Sequence, residues 1–480
     1  MSISAALASA RSGLAINARA AELVSTNVAN ALTPGYARQE LDRVPRLDGG
    51  VASGQVVVAR DAGATALRLS ADSAAEQART GADALARVGD ILGDPGAETG
   101  LVTQMTALLT SIDEAAATPE NEALQRNVLT AAQDVASAFG DLSEGLRMAR
   151  ADADRRLGER VDALNGALEG IDKLNREITA GKAQRRDVSA LEQERAGLVD
   201  EVALHVPVRI IRRDNDQIAL FTPDGAALLD GIPARFEFTP TPVVTEALNV
   251  TDGTLGEVLF NGQPVTPSEN GSLLSGGGLA ADQFLRDTTL PRITAELDTL
   301  AAGLLSRLET ADVTRAPGDA ALLGDGNVAH DPLDTTGLAG RLEVNAVVDP
   351  AQGGRLHRIR DGVGATAPGA PGDAATLQAL SAGLRQQGTD LATIGDPVSR
   401  SILDHAIHFA AALGSEAASA ETDAAARTAT LEAARTVELG RIGVDTDAEL
   451  QLLLEIETAY AANARVLDTV DSMIRTLLEI

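Results

Sequence analysis

Apolar and small residues near the start of the chain recur at Ile3, Leu7, Ala10, Leu14, Asn17, Ala21, Val24 and Val28, alternately four and three apart. This spacing is a heptad seam broken only by Asn17, and it predicts an amphipathic helix over residues 1–30. Asn30 is suited to end that helix, because asparagine tolerates the left-handed conformation of a helix terminus. In the adjoining Thr33-Pro34-Gly35-Tyr36, proline second and glycine third match a type II turn, whose third residue has φ > 0. The final segment mirrors the first. From Asp447, read as the helix cap, to Ile480, the seam runs Leu453, Ile456, Tyr460, Asn463, Leu467, Val470, Ile474 and Leu477, again with one asparagine. Two helices of roughly 30 residues are each about 45 Å long. Each leaves an apolar stripe to be covered, and the simplest cover is the other helix, paired as a coiled coil.

Between the ends the helical period returns. Thr118-Pro119-Glu120 reads as a helix start, with Thr118 as cap and Pro119 at the first helical position. From Leu124 to Ile178 the apolar period persists, although Gly140, Gly145, Gly158 and Gly166 weaken it enough to allow a break or bend. Gly181 to Asp187 reads as a turn and Val188 to Leu204 as a returning helix, together a long helical hairpin. Character changes at His205. Val206 to Ile211 and Gln217 to Phe221 are short β-type runs, and Pro223-Asp224-Gly225, Asn261-Gly262 and Gly276-Gly277-Gly278 punctuate the stretch up to Leu285. Helix resumes from Ala280 to Thr310, residues 311–372 read as loops with a few short strands, and helices return from Ala374.

The expected fold is therefore mainly α and elongated, with paired terminal helices, a long helical hairpin arm and an inserted β-rich domain. The expected division is 1–45 with 444–480 as the terminal coiled-coil domain, 46–204 with 286–443 as the helical arm including loop-rich 311–372, and 205–285 as the β-rich insert. Composition supports this shape. Of 480 residues 44% are apolar but only 2% aromatic, so the apolar area sits in Ala, Leu, Val and Ile, which suit closely packed helices. The net charge of −29 argues against nucleic acid or an anionic membrane as partner, and no apolar run approaches the length of a membrane span. Cysteine is absent, which removes disulfides, thiolate metal sites and thiol nucleophiles.

Catalytic patterns are sparse. Phosphate-binding glycine motifs are missing, and His405 with His408 reads as a pair of helix histidines without a third ligand. Asp445-Thr446-Asp447 lacks the glycine and closing glutamate of a calcium loop. No carboxylate pair stands out. No cofactor, metal or catalytic residue is assigned, and the reading is of a protein that is not an enzyme. The residues that carry interest lie in the terminal seams and their turn: Leu7, Leu14, Asn17, Val24, Val28, Asn30, Pro34, Gly35, Tyr36, Arg38, Leu453, Ile456, Tyr460, Asn463, Leu467, Val470, Ile474 and Leu477.

The stretch from Ser25 to Gln39, Ser-Thr-Asn-Val-Ala-Asn-Ala-Leu-Thr-Pro-Gly-Tyr-Ala-Arg-Gln, resembles the N-terminal signature of bacterial flagellar axial proteins. Its Thr33 to Gln39 ending is similar to that of the hook-associated protein 1 family. The segment from Ala459 to Leu467, with Asp471-Ser472-Met473 just beyond it, is similar to the matching C-terminal end. Thr118-Pro119-Glu120-Asn121 with Arg126, Leu191 to Arg195, Leu285-Arg286-Asp287 and Leu290-Pro291 resemble internal helices of the same family. The resemblance implies export through the flagellar type III apparatus without a cleaved signal, and an extracellular place at the hook–filament junction. It implies as partners a ring of copies of the chain itself, the hook subunit, the second junction protein or filament, and a cytoplasmic export chaperone on the C-terminal segment. Two alternatives stand beside it: a hook or rod subunit, and, in another class, a secreted acidic hydrolase with helical ends.

Overall fold

The computed structural model describes residues 3–33, 35–46, 50–93, 100–266, 275–388 and 399–478. The chain opens with α1 (Ile3–Asn30), a hairpin of β1 (Gln39–Pro45) and β2 (Val51–Val58), α2 (Ala62–Leu92) and α3 (Leu101–Ala117). It continues with α4 (Glu122–Ala183) and α5 (Ser189–His205). Six strands come next: β3 (Arg209–Arg212), β4 (Ile218–Phe221), β5 (Ala227–Leu229), β6 (Phe236–Glu237), β7 (Leu259–Phe260) and β8 (Gln263–Pro264). After them stand α6 (Gly277–Phe284), α7 (Leu290–Ala311), β9 (Leu323–Asp325), α8 (Leu338–Arg341), β10 (Leu342–Val344), α9 (His357–Asp361) and α10 (Ala375–Arg385). The chain closes with α11 (Ile402–Ile442) and α12 (Thr446–Leu478). The protein is mainly α and elongated, as its apolar periodicity predicts.

The spine is α4. Its 62 residues span about 93 Å, and α2, α3, α5, α6, α7, α8 and the strand region each cover some stretch of it. Along its first half, Val128, Val135, Phe139, Leu142 and Leu146 share a core with Leu108 and Ile112 of α3, Leu297 and Leu304 of α7, and Leu377 and Leu380 of α10. Along its second half, Leu157, Leu164, Leu168 and Ile171 meet Val199 and Val202 of α5 and Leu220, Leu228, Phe236 and Val258 of the strand region. The β-rich segment thus shares its core with α4 and α5. It forms two three-stranded sheets, β3-β4-β5 and β6-β7-β8, all pairs antiparallel. A charged girdle separates the two cores. Arg286, fully buried, pairs with Asp154 at 2.8 Å and Asp287 at 2.6 Å, while Arg150 donates to the carbonyls of Thr245, Leu248 and Arg286.

The expected weakness of α4 at its glycines is not realised. At two of the four a neighbour's side chain leans on the helix, Ile91 against Gly145 and Pro240 2.7 Å from where a Cβ on Gly158 would lie, while Gly140 and Gly166 have open space beside them. Glycine there serves close approach, and the packing gained outweighs its poor helix propensity. The start of α4 also shifts. Asn121, not Thr118, caps it, its side chain accepting from the Ala123 amide at 2.9 Å, while Thr118 ends α3. Pro119 sits in the turn, where its carbonyl accepts from the Gln125 side chain at 2.7 Å. The hairpin of β1 and β2 is an addition to the all-helical course expected before residue 204; its β-branched run Val56-Val57-Val58 is the sequence signal for it. Loop-rich 311–372 does hold short strands, and Ala321, Leu323, Leu338, Val348 and Ile359 anchor it in the first core.

α11 lies antiparallel along α2, and ions fix the match. Arg68 of α2 pairs with Glu438 of α11, Asp72 of α2 and Asp200 of α5, and Arg435 of α11 reaches Asp72 at 3.0 Å. Burial pushes the Asp200 carboxyl above the ordinary carboxylate range, and Arg68 opposes that push.

His205, at the end of α5, is a buried ionisable group as well. Burial pushes its pKa down to about 4, with Arg160 adding to the effect and Glu76 opposing it. Its folded-state pKa lies below the unfolded value of about 6.5, so the unfolded chain takes up the proton first as pH falls. Stability from this residue is full above pH ~6.5 and is lost progressively toward pH ~4. Urea unfolding of His205→Gln across that window is expected to show a flatter pH profile than the parent chain.

Candidate functional site

α1 and α12 lie side by side and antiparallel. Near one end Gly13 sits against Asn463, close enough that a Cβ on Gly13 would be 2.8 Å from its Nδ2. Further along, Ala20 and Val24 are buried with Ile456, flanked by Ala21, Leu453 and Leu41 of β1. Apart from the buried Ile16, the residues that face inward on α1 are mostly small or of middle size. Ala10, Gly13, Asn17, Ala20, Val24 and Asn27 are spaced three and four apart and bring the two backbones together.

Among the positions singled out by the heptad pattern, Asn17, Val24, Ile456 and Val470 are buried, and Leu7, Leu14, Leu453, Asn463, Leu467 and Ile474 are half-buried. Tyr460 is exposed to 47%. Pro34 and the side chain of Leu477 lie outside the described residues. Val28 is a correction: it is exposed, because the seam runs through Ala20 and Asn27 instead of Ala21 and Val28. Hydrogen bonding explains that shift. Asn27 is 1% exposed; its Nδ2 donates to the Gln39 carbonyl at 2.9 Å, and its Oδ1 accepts from the Gln39 amide at 3.0 Å and the Tyr36 hydroxyl at 2.9 Å. One amide side chain thereby fastens the start of the hairpin to the end of α1.

The turn between them has the expected form. The Tyr36 amide donates to the Thr33 carbonyl at 3.1 Å, and Gly35 has φ +76°. Asn30 ends α1 without a left-handed backbone; its Nδ2 donates to the Thr26 carbonyl at 2.9 Å instead. Arg38 then joins three elements. Its amide donates to the Ile442 carbonyl at the end of α11 at 2.8 Å, and its carbonyl accepts from Ala59 at 2.7 Å. Its guanidinium bonds Glu40 of β1 and stands 3.6 Å from Glu449 of α12. Burial, and to a lesser degree the charge of Glu449, push the Tyr36 hydroxyl up from its ordinary value. Asp445, not Asp447, caps α12, accepting from the amides of Asp447 and Ala448 at 3.0 and 3.2 Å.

The pair covers only its inner faces. On α12 Leu450, Leu452, Leu454, Val466 and Met473 are exposed, Leu454 to 62%, and Leu32 beyond α1 is 98% exposed. A run of large apolar side chains on one exposed helix exceeds the scattered surface residues of a lone soluble body. Elsewhere chemistry is thin. His405 is buried and His408 half-buried on α11, while Asp404 is used in a capping box with Ser401. Among the described residues no group of three or more His, Asp or Glu could hold a metal ion, and no helix is long and apolar enough to cross a membrane.

Apolar character ranks the seam positions from sequence, and that ranking passes over Asn27, Gln39, Glu449 and the small inward residues of α1. The hint for Asn27 is its place three residues after Val24, on the seam's own spacing. Replacing Asn27 with Ala strips the Gln39 amide and carbonyl and the Tyr36 hydroxyl of their partner. A loss of about 2–4 kcal/mol local to the hairpin is expected, from the cost of each orphaned buried group. Hydrogen exchange should show faster amides across residues 35–60, with α3 and α4 unchanged.

Residues 85–313 match the model of the flagellar hook-associated protein FlgK helical domain, and residues 439–480 match that of the flagellar basal body rod FlgEFG protein C-terminal. No curated protein matches the chain. Among solved structures, the flagellar hook junction protein FlgK from Burkholderia pseudomallei is similar at 17% identity and a TM-score of 0.44. That match covers 54% of this chain and 47% of the other, so the chain spans about half the length of that protein. The two matched segments, a FlgK helical domain and a rod-type C-terminal segment, support a FlgK-like hook-associated protein, a structural component of the bacterial flagellum.

Proposed function

We propose that this chain is a structural adaptor of the hook–filament junction, without a catalytic role, that assembles through α1 and α12. The observation that carries the reading is the set of exposed apolar side chains around α12, in a chain that matches these family models. Such a face is costly in an isolated subunit and is covered when neighbours arrive. The neighbours are further copies of the chain in a ring, the hook subunit on one side, and the second junction protein or filament on the other. Before assembly a cytoplasmic chaperone holds the C-terminal helix, and export places the protein outside the cell. In this reading residues 1–45 with 444–480 form the assembly unit, 46–204 with 286–443 the helical arm, and 205–285 the outward-facing β-rich part. The seam and turn residues from Leu7 to Arg38 and from Leu453 to Leu477 serve as its interface.

A hook or rod subunit is the second reading, favoured by the rod-protein character of residues 439–480. Electron microscopy of a deletion strain separates the two: the junction reading expects intact hooks, no filaments and flagellin shed into the medium. A rod or hook role expects no completed hook. Point variants test the interface itself. Leu454→Asp and Val466→Asp alter exposed side chains, so the purified chain is expected to keep its thermal stability while complementing strains lose filaments. Leu467→Asp and Ile474→Asp place a charge in the half-buried seam and are expected to lose both. Normal filaments on all four variants contradict the reading.

A further inference from the structure

The joint between body and terminal helices holds an ion pair that is only half made. Glu449 is 2% exposed, one turn into α12, and its Oε2 has no hydrogen-bond partner among the described residues. Among the described residues the nearest cation is Arg38, whose Nε stands 3.6 Å from the other oxygen and has no hydrogen bond among them. The same guanidinium is already bonded through Nη2 to Glu40, an exposed residue of β1. A buried carboxylate with an orphan oxygen beside an orphan guanidinium nitrogen is an unfavourable arrangement, because both groups have left water without completing their bonds. A rotation of the Arg38 side chain toward α12 completes them, at the expense of the Glu40 contact.

We propose that Arg38 is a toggle between Glu40 on the hairpin and Glu449 on α12, and that its choice sets how firmly the terminal helix pair is held to the body. The backbone around it makes this coupling direct. The Arg38 amide is bonded to Ile442, the last residue of α11, and only Gly443, Val444 and the capping Asp445 separate α11 from α12. Across the joint, Tyr36 lies between Asn27 and Glu449. When Arg38 sides with Glu40, the first turn of α12 keeps an uncompensated carboxylate and is free to pivot. When it sides with Glu449, hairpin, α11 and α12 are pinned at one point. A joint with two holdings lets one subunit shape meet neighbours at different angles. This inference concerns the isolated chain and stands apart from any assignment to a place in the flagellum.

The two carboxylates give the test opposite signs. The chain has no cysteine, so Thr430→Cys on α11 and Thr458→Cys on α12, both exposed, can carry a pair of spin labels in the full-length protein. Glu40→Gln, a surface change, removes the competitor. It is expected to narrow the label-to-label distance distribution and to slow amide exchange of residues 446–452 by about threefold, the scale of one modest ion pair. Glu449→Gln and Arg38→Gln are expected to broaden the distribution and speed exchange. If Glu40 merely braces the joint, Glu40→Gln loosens it as the other two do. That result, or no change from any of the three, overturns the toggle.

Discussion

Two long helices from opposite ends of the chain can pair closely only if one of them presents small side chains along the line of contact, and α1 does. Ala10, Gly13, Asn17 and Ala20 leave room for Asn463 and Ile456 to settle against the α1 backbone. The rest of that pole depends on this approach. It brings the start of α12 beside the end of α1, where Asn27 and Arg38 can gather the turn, the hairpin and α11 into one joint. The inner face of α12 carries Leu453, Ile456, Leu467 and Val470, while Leu450, Leu454, Val466 and Met473 stay exposed. The pair thus leaves apolar side chains of α12 uncovered, and the functional reading rests on them.

The body solves a different problem. A helix of 62 residues presents more stripe than any single neighbour can cover. It is covered in series, first by α3 and α7, on which α10 packs in turn, then by α5 and the two small sheets. With so few aromatic rings, each core depends on many Leu, Val and Ala side chains in close contact. Between the cores, where the covering elements change, the chain uses Arg150, Asp154, Asp282 and Arg286 in place of apolar packing. Arginine suits that role, since its planar fork can serve several carboxylates and carbonyls at once.

Much of this is legible in the sequence. The seams of α1 and α12, the turn at Gly35, the long helical hairpin and the β-type runs after His205 are all written in local spacing, which is what periodicity and turn chemistry report. What escapes it depends on tertiary partners. Val28 has the character of a seam residue, yet Asn27 occupies the inner position because Gln39 and Tyr36 supply its hydrogen bonds from across the turn. Gly145 and Gly158 in α4 read as weak points because the side chains that press on them, Ile91 and Pro240, lie far along the chain. Glu449 gives no signal at all, since a glutamate in the first turn of a helix is ordinarily a solvated dipole partner.

Intramolecular cross-linking of the isolated chain tests the antiparallel pairing of the two ends most directly. With no native cysteine to interfere, Ala20→Cys and Ile456→Cys place two thiols in one buried cluster. The account expects a short thiol cross-linker to join them within a single chain, at high yield and independent of protein concentration, while Ala20→Cys with Ile474→Cys is joined poorly. Equal yields for the two pairs, or cross-links formed only between chains, contradict it.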